Sequence, residues 1–177
     1  MPYDMSHDVD TTPPTLLIAT PTHDGRLHHG YVDSLMATRA LLDAHGIGNG
    51  HLFLPGWSLI PEARNEIAAR FLAAPCWSDL LMVDSDIVWR PADVLRLLRH
   101  GHELACGVYA RKSEIDPALM FWRIEAGTGP LPRCTRTGCL DIAATGAGFM
   151  LLHRSVFERL AASGNVDKIT VVSRLMV

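Results

Sequence analysis

Leu80-Leu81-Met82-Val83 is an unbroken apolar run that stops at Asp84-Ser85-Asp86. Nothing polar alternates with the apolar residues, so a strand built from them must be covered on both faces. Strands buried this way belong to parallel sheets packed between helices. The run also delivers two carboxylates to one edge of the sheet. Two such charges are costly to hold together unless a cation sits beside them. A divalent metal carrying phosphate is the usual cation in such a place.

The order of elements agrees with that fold. Residues 15–20 (TLLIAT) form a first strand, ended by Pro21. Tyr31, Val32, Leu35, Met36 and Leu42 recur at helical spacing, and the helix ends near His45-Gly46. Gly46-Ile47-Gly48-Asn49-Gly50 reads as a turn, and residues 51–54 as a second strand stopped by Pro55-Gly56. Pro61 opens a helix over 61–73 whose apolar face is Ala63, Ile67, Ala68, Phe71 and Leu72. The third strand is 80–83. Pro91 starts a further helix, with Val94, Leu95, Leu97 and Leu98 inward, Arg96 and Arg99 outward, and Gly101 at its end. Residues 104–109 form a fourth strand. Alternation of this kind predicts an α/β domain with a mostly parallel sheet and helices on both faces. Beyond it, 117–138 is rich in Gly, Pro and Arg around Phe121-Trp122 and reads as long loops. A strand over 147–152 and a short helix over 155–162 follow. The expected organisation is a loose tail (1–14), one domain (15–163) and a weakly specified end (164–177).

Composition narrows the function. The chain has 177 residues and a net charge of −3, so it has no basic excess with which to bind nucleic acid non-specifically. No apolar run is long enough for a membrane span, and the polar, acidic first residues do not read as a secretory signal. Cys76 and Cys106 sit in apolar contexts and read as small core residues. Cys134 and Cys139 are spaced more widely than a zinc-ribbon pair, and no second pair follows. A reduced, cytoplasmic chain is the expectation.

Several stretches fall at strand ends, where ligands bind in open α/β sheets. Asp84 and Asp86 suit magnesium or manganese, and Pro91 lies too far downstream for either to be its N-cap. Arg64-Asn65 lies on the first turn of the second helix, where free N–H groups and an arginine together favour an anion. The loop Thr20-Pro21-Thr22-His23-Asp24-Gly25 has neither G-x-G-x-x-G nor G-x-x-x-x-G-K-[ST], so any nucleotide contact it makes differs from those motifs. Gly146-Ala147-Gly148 allows close backbone approach to a ligand. Tyr109-Ala110-Arg111-Lys112 also falls at a strand end. His153 is a candidate ligand or base, although a lone histidine is more often structural. His28-His29 reads as a helix start.

Together these stretches resemble the nucleotide-sugar-dependent glycosyltransferases of the GT-A fold, similar to glycosyltransferase family 2. The resemblance rests on LLIATPTHDG, SLIPEARNEIAARFL, WSDLLMVDSDIVWRPADVLRLL, ELACGVYARK and AATGAGFMLLHRSVFE, in that order. It implies transfer of a sugar from a UDP- or GDP-sugar to an acceptor hydroxyl on a glycan, lipid or protein. In that family the aspartates of the DxD motif hold Mn2+ or Mg2+ on the donor diphosphate, which here implies Asp84 and Asp86. The first aspartate often also meets the ribose. The base would meet Thr20, Pro21 and Asp24, and Arg64 and Asn65 would face the nucleotide. Gly146, Ala147 and Gly148 would shape the sugar pocket. Members commonly continue with a Glu-Asp segment that supplies the base and a later metal-binding histidine. Here only Glu158, Asp167 and His153 follow before Val177, so the resemblance implies a C-terminally shortened or degenerate member and leaves the catalytic base unassigned.

Two other readings fit part of the pattern. Asp84-Ser85-Asp86-Ile87-Val88 matches the D-x-D-x-[TV] loop of haloacid-dehalogenase-type phosphatases. There Asp84 would be the nucleophile, Asp86 the acid/base, and Lys112 the later lysine. A non-catalytic nucleotide-sugar-binding module is the third.

Overall fold

The protein is described by a computed structural model covering residues 13–107, 134, 137–139 and 146–164. Most of both expected tails, the 108–133 stretch with Lys112 and Phe121-Trp122, and Asp167 lie outside the described residues.

Among the described residues, five strands and four helices follow one another as β1 (Thr15–Thr22), α1 (His29–Ala44), β2 (Gly48–Pro55), α2 (Ile60–Ala73), β3 (Asp79–Val83), α3 (Pro91–His100), β4 (Leu104–Cys106), β5 (Phe149–His153) and α4 (Arg154–Ala162). They build one sheet in the order β2-β1-β3-β5-β4. β1 pairs in parallel with β2 and β3, whereas β5 runs antiparallel to both β3 and β4. Four strands therefore point one way, and β5 is inserted against them between β3 and β4. The expected α/β class with a mostly parallel sheet is what the chain adopts.

Strand periodicity sorts the core into two layers. Leu16, Ile18, Leu81, Val83 and Leu151 face Tyr31, Leu35 and Leu42 of α1 and Val94 and Leu95 of α3. Leu17, Ala19, Leu80, Met82 and Leu152 face Ala63, Ile67 and Phe71 of α2, with Val156 and Phe157 of α4 packed alongside. All five residues of β3 are buried, as its unbroken apolar run requires.

Several boundaries differ from the sequence expectation. β1 continues through Pro21 to Thr22. Its pairing with β3 ends at Ala19, so among the described residues Pro21 sits where β1 is paired with β2 alone and a missing N–H is tolerated. The glycine cluster expected to be a turn largely joins β2. A Cβ on Gly50 would lie 2.7 Å from the Trp77 ring, so this glycine admits an indole rather than bending the chain. Gly101 does end α3, with φ of 64°. Met36 is exposed, and Ser34 and Thr38 take the buried positions on α1. Cys76 is exposed rather than in the core. Burial raises the Cys106 thiol pKa. Cys139 Sγ lies 2.9 Å from His100 Nδ1.

Arg154 ties the start of α4 to the C-terminal end of α2 in the same layer. Its guanidinium donates to the carbonyls of Phe71, Leu72, Ala74 and Trp77 at 2.7–3.3 Å and lies over the Phe71 ring. Phe71 and Leu72 belong to the last turn of α2, Ala74 caps it, and Trp77 lies in the turn that follows. A lysine cannot reproduce the planar fork. Arg154→Lys is expected to lower the unfolding free energy in urea by about 2 kcal/mol, because carbonyls lose charge-assisted donors.

Candidate functional site

β1 leads through α1 to β2 on one side, and β2 leads through α2 to β3 on the other. Strand order thus reverses at β1, and a crevice opens between the carboxyl ends of β1 and β3. The TPT end of β1, the first turn of α2 and Asp84 all meet this edge.

Asp84 is placed from three sides. Its N–H donates to Gly148 O at 3.0 Å, which extends the β3–β5 pairing by one step. Its carbonyl accepts from Ile87 N at 3.1 Å, folding residues 84–87 into a turn that leaves Asp86 exposed. Its Oδ1 accepts from Arg64 Nη2 at 2.8 Å, with both side chains only partly exposed. Arg64 is the fifth residue of α2, just past the first turn on which it was expected, because the helix starts at Ile60. The N-cap there is Leu59, which offers no side-chain acceptor, so the free N–H groups of that helix end add to the positive charge.

The turn is anchored from below by Trp89. Its indole N–H donates to Thr38 Oγ1 at 2.8 Å, and its backbone exchanges hydrogen bonds with the Ser34 hydroxyl. The ring packs edge-on to Tyr31 at 5.2 Å and against Phe149 at 5.7 Å. His28 caps α1 through Nδ1, and its N–H donates to Ser85 O at 3.0 Å. His28 at the helix start therefore holds the aspartate turn. Sequence reasoning missed the Trp89 clamp. Its signal was Ser34 and Thr38, polar residues four apart on the buried face of α1.

The other expected residues are distributed as follows. Thr20 is fully buried, and its hydroxyl bonds to the Tyr31 hydroxyl inside the core. Burial pushes the Tyr31 phenol up to about 12. Pro21 is buried. Asp24 is exposed and turns back to Arg26, accepting from its backbone N–H at 3.1 Å. Asn65 is exposed on α2. Gly146 and Gly148 are buried and Ala147 is half-buried, on the approach to β5 beside Asp84. His153 pairs with Asp79, at the opposite end of the sheet from Asp84, and caps α4. It is thus separated from the aspartates by the length of a strand. Tyr109 to Lys112 lie outside the described residues.

Among the described residues, Thr22 Oγ1 and Arg64 Nε are buried side-chain polar atoms without a hydrogen-bond partner. Thr22 is only 4% exposed. A buried hydroxyl left unpaired costs roughly 1–3 kcal/mol, so both atoms mark an edge whose polar groups are not satisfied from within the fold. Thr22→Val keeps the shape and removes the orphan. It is expected to raise stability by about 1 kcal/mol in thermal unfolding while weakening whatever ligand binds this crevice. Unchanged ligand affinity would separate Thr22 from the site.

Asp84 and Asp86 are the side chains here with the chemistry of a hard-cation site. Among the described residues, no three His, Cys, Asp or Glu side chains converge, so a cation held here would draw other oxygens from a ligand or from water.

No family model matches the sequence, and no curated protein matches it. Among solved structures, the chain is similar to A197 from STIV, with a TM-score of 0.51 and 15% identity over 90% of this chain and 72% of that chain. It is less similar to a glycosyltransferase involved in the glycosylation of the major capsid of PBCV-1, at a TM-score of 0.37, 13% identity, and 85% and 65% coverage. It is also less similar to a 4-diphosphocytidyl-2C-methyl-D-erythritolsynthase from Anaerococcus prevotii, at 0.43, 8%, 89% and 80%. The likeness to A197 supports the fold.

Proposed function

We propose that the crevice between β1 and β3 binds the diphosphate of a nucleotide-sugar with Mn2+ or Mg2+, and that the chain is a glycosyltransferase of GT-A type. The carrying observation is the Arg64–Asp84 pair at the strand-order reversal, with Thr22 Oγ1 and Arg64 Nε unpartnered at the same edge. An anion needs donors, and these are donors without acceptors. Asp84 and Asp86 would hold the metal, which neutralises charge on the departing diphosphate. Arg64 would orient Asp84 and meet the phosphate, and the buried Gly148 would keep the backbone close to the sugar. The base that accepts the acceptor's proton is not assigned to a residue.

Turnover of UDP- and GDP-sugars with Mn2+ tests this reading. Sugar release that disappears in Asp86→Ala supports it. Release of phosphate from an aryl phosphate, with no sugar turnover, points instead to the phosphatase use of Asp84. Metal-dependent binding without turnover points to a binding module.

A further inference from the structure

A second concavity, of about 300 Å³, opens at the same sheet edge on the far side of the aspartates. Its wall begins at Ile87, the residue after Asp86, and closes at Phe149 and at Gly107 just past the end of β4. Gly107 N donates to Phe149 O at 3.0 Å, as Asp84 N does to Gly148 O, so crevice and cavity are successive stations along one edge.

The lining divides by chemistry. Trp89, Leu97 and Phe149 give an apolar wall, and Val88 adds a side that is 59% exposed. Arg90 and Arg96 flank the mouth with side chains 85% and 65% exposed. Asp93 stands between them at 3.5 and 3.7 Å, beyond good hydrogen-bond length. One carboxylate against two guanidiniums leaves a net positive charge. Arg90 is also the N-cap of α3 and makes no side-chain cap bond, so the positive end of that helix faces the same mouth. Solvated surface arginines are commonplace. These two differ in sharing one concavity with an apolar wall, next to the residues proposed to hold the donor.

We infer that this cavity seats the sugar acceptor, and that the acceptor carries an anionic group, phosphate or carboxylate, on an apolar body. The acceptor role rests on the donor reading above. Guanidinium forks match both anions, and the wall excludes water from the body.

Binding to the full chain is followed by the NMR shift of the Trp89 indole N–H, with octyl phosphate, octanoate and octyl glucoside as probes. The anionic probes are expected to bind at least about tenfold tighter than the neutral one, and to lose that advantage in the Arg90→Gln/Arg96→Gln double variant. The tighter of the two anions identifies the headgroup. Equal affinity for all three probes, or anion binding unchanged in the double variant, overturns the inference. UDP binding with Mn2+ is measured alongside. If UDP binds while the cavity fails these tests, this inference falls alone. If UDP does not bind the unaltered chain, the donor reading falls, and the acceptor role with it.

Discussion

Asp84→Asn is expected to weaken metal-dependent binding of a nucleoside diphosphate roughly a hundredfold, or about 2.7 kcal/mol. An amide keeps the size of the side chain and removes the charge that a hard cation requires. Stability is expected to stay within about 1 kcal/mol of the unaltered chain, because the Arg64 pair is partly solvated and an amide oxygen still accepts from Nη2. Titration calorimetry with UDP and Mn2+, beside thermal unfolding, separates the two effects. A variant that binds normally would remove Asp84 from the site, and one that unfolds would make it a structural residue.

Trp89→Ala is expected to cost about 3–5 kcal/mol, lowering the unfolding midpoint by roughly 6–20 °C. The ring is 9% exposed, contacts Tyr31 and Phe149, and satisfies Thr38 in the core. Removing it opens a cavity and leaves the Thr38 hydroxyl without its donor. The more conservative Trp89→Phe keeps the ring packing and loses only the N–H, at about 1–2 kcal/mol. The two variants distinguish volume from hydrogen bonding. Because Trp89 anchors the turn that carries Asp84 and Asp86, even the milder change is expected to weaken metal-dependent binding. If Trp89→Phe left that binding untouched, the clamp would serve stability alone.

Local signals in the chain carried the parallel half of the fold. The β3 run is apolar without alternation and is buried throughout. Pro91 and Gly101 bound α3 as proline and glycine do at helix ends. The antiparallel insertion of β5 was not legible, because pairing between residues 79–83 and 149–153 depends on contacts far apart in sequence. Gly48 and Gly50 misled for a related reason: what they accommodate is Thr15 of β1 and Trp77 of the α2–β3 connection, both distant in sequence. At the site, Arg64 and Asp84 were both legible as strand-end and helix-start residues. Their direct pairing was not, since it needs the α2–β3 connection to fold back on itself. Tyr31 occupies the Thr20 hydroxyl inside the core, which leaves Thr22 as the end of β1 with an unpartnered hydroxyl.

The most direct test of the central claim is UDP affinity with Mn2+ and with chelator, in the unaltered chain and in Asp84→Asn and Asp86→Asn. Tight binding only with Mn2+, lost in both variants, is the predicted result. UDP binding that ignores both the metal and the aspartates, or no UDP binding at all, would contradict it.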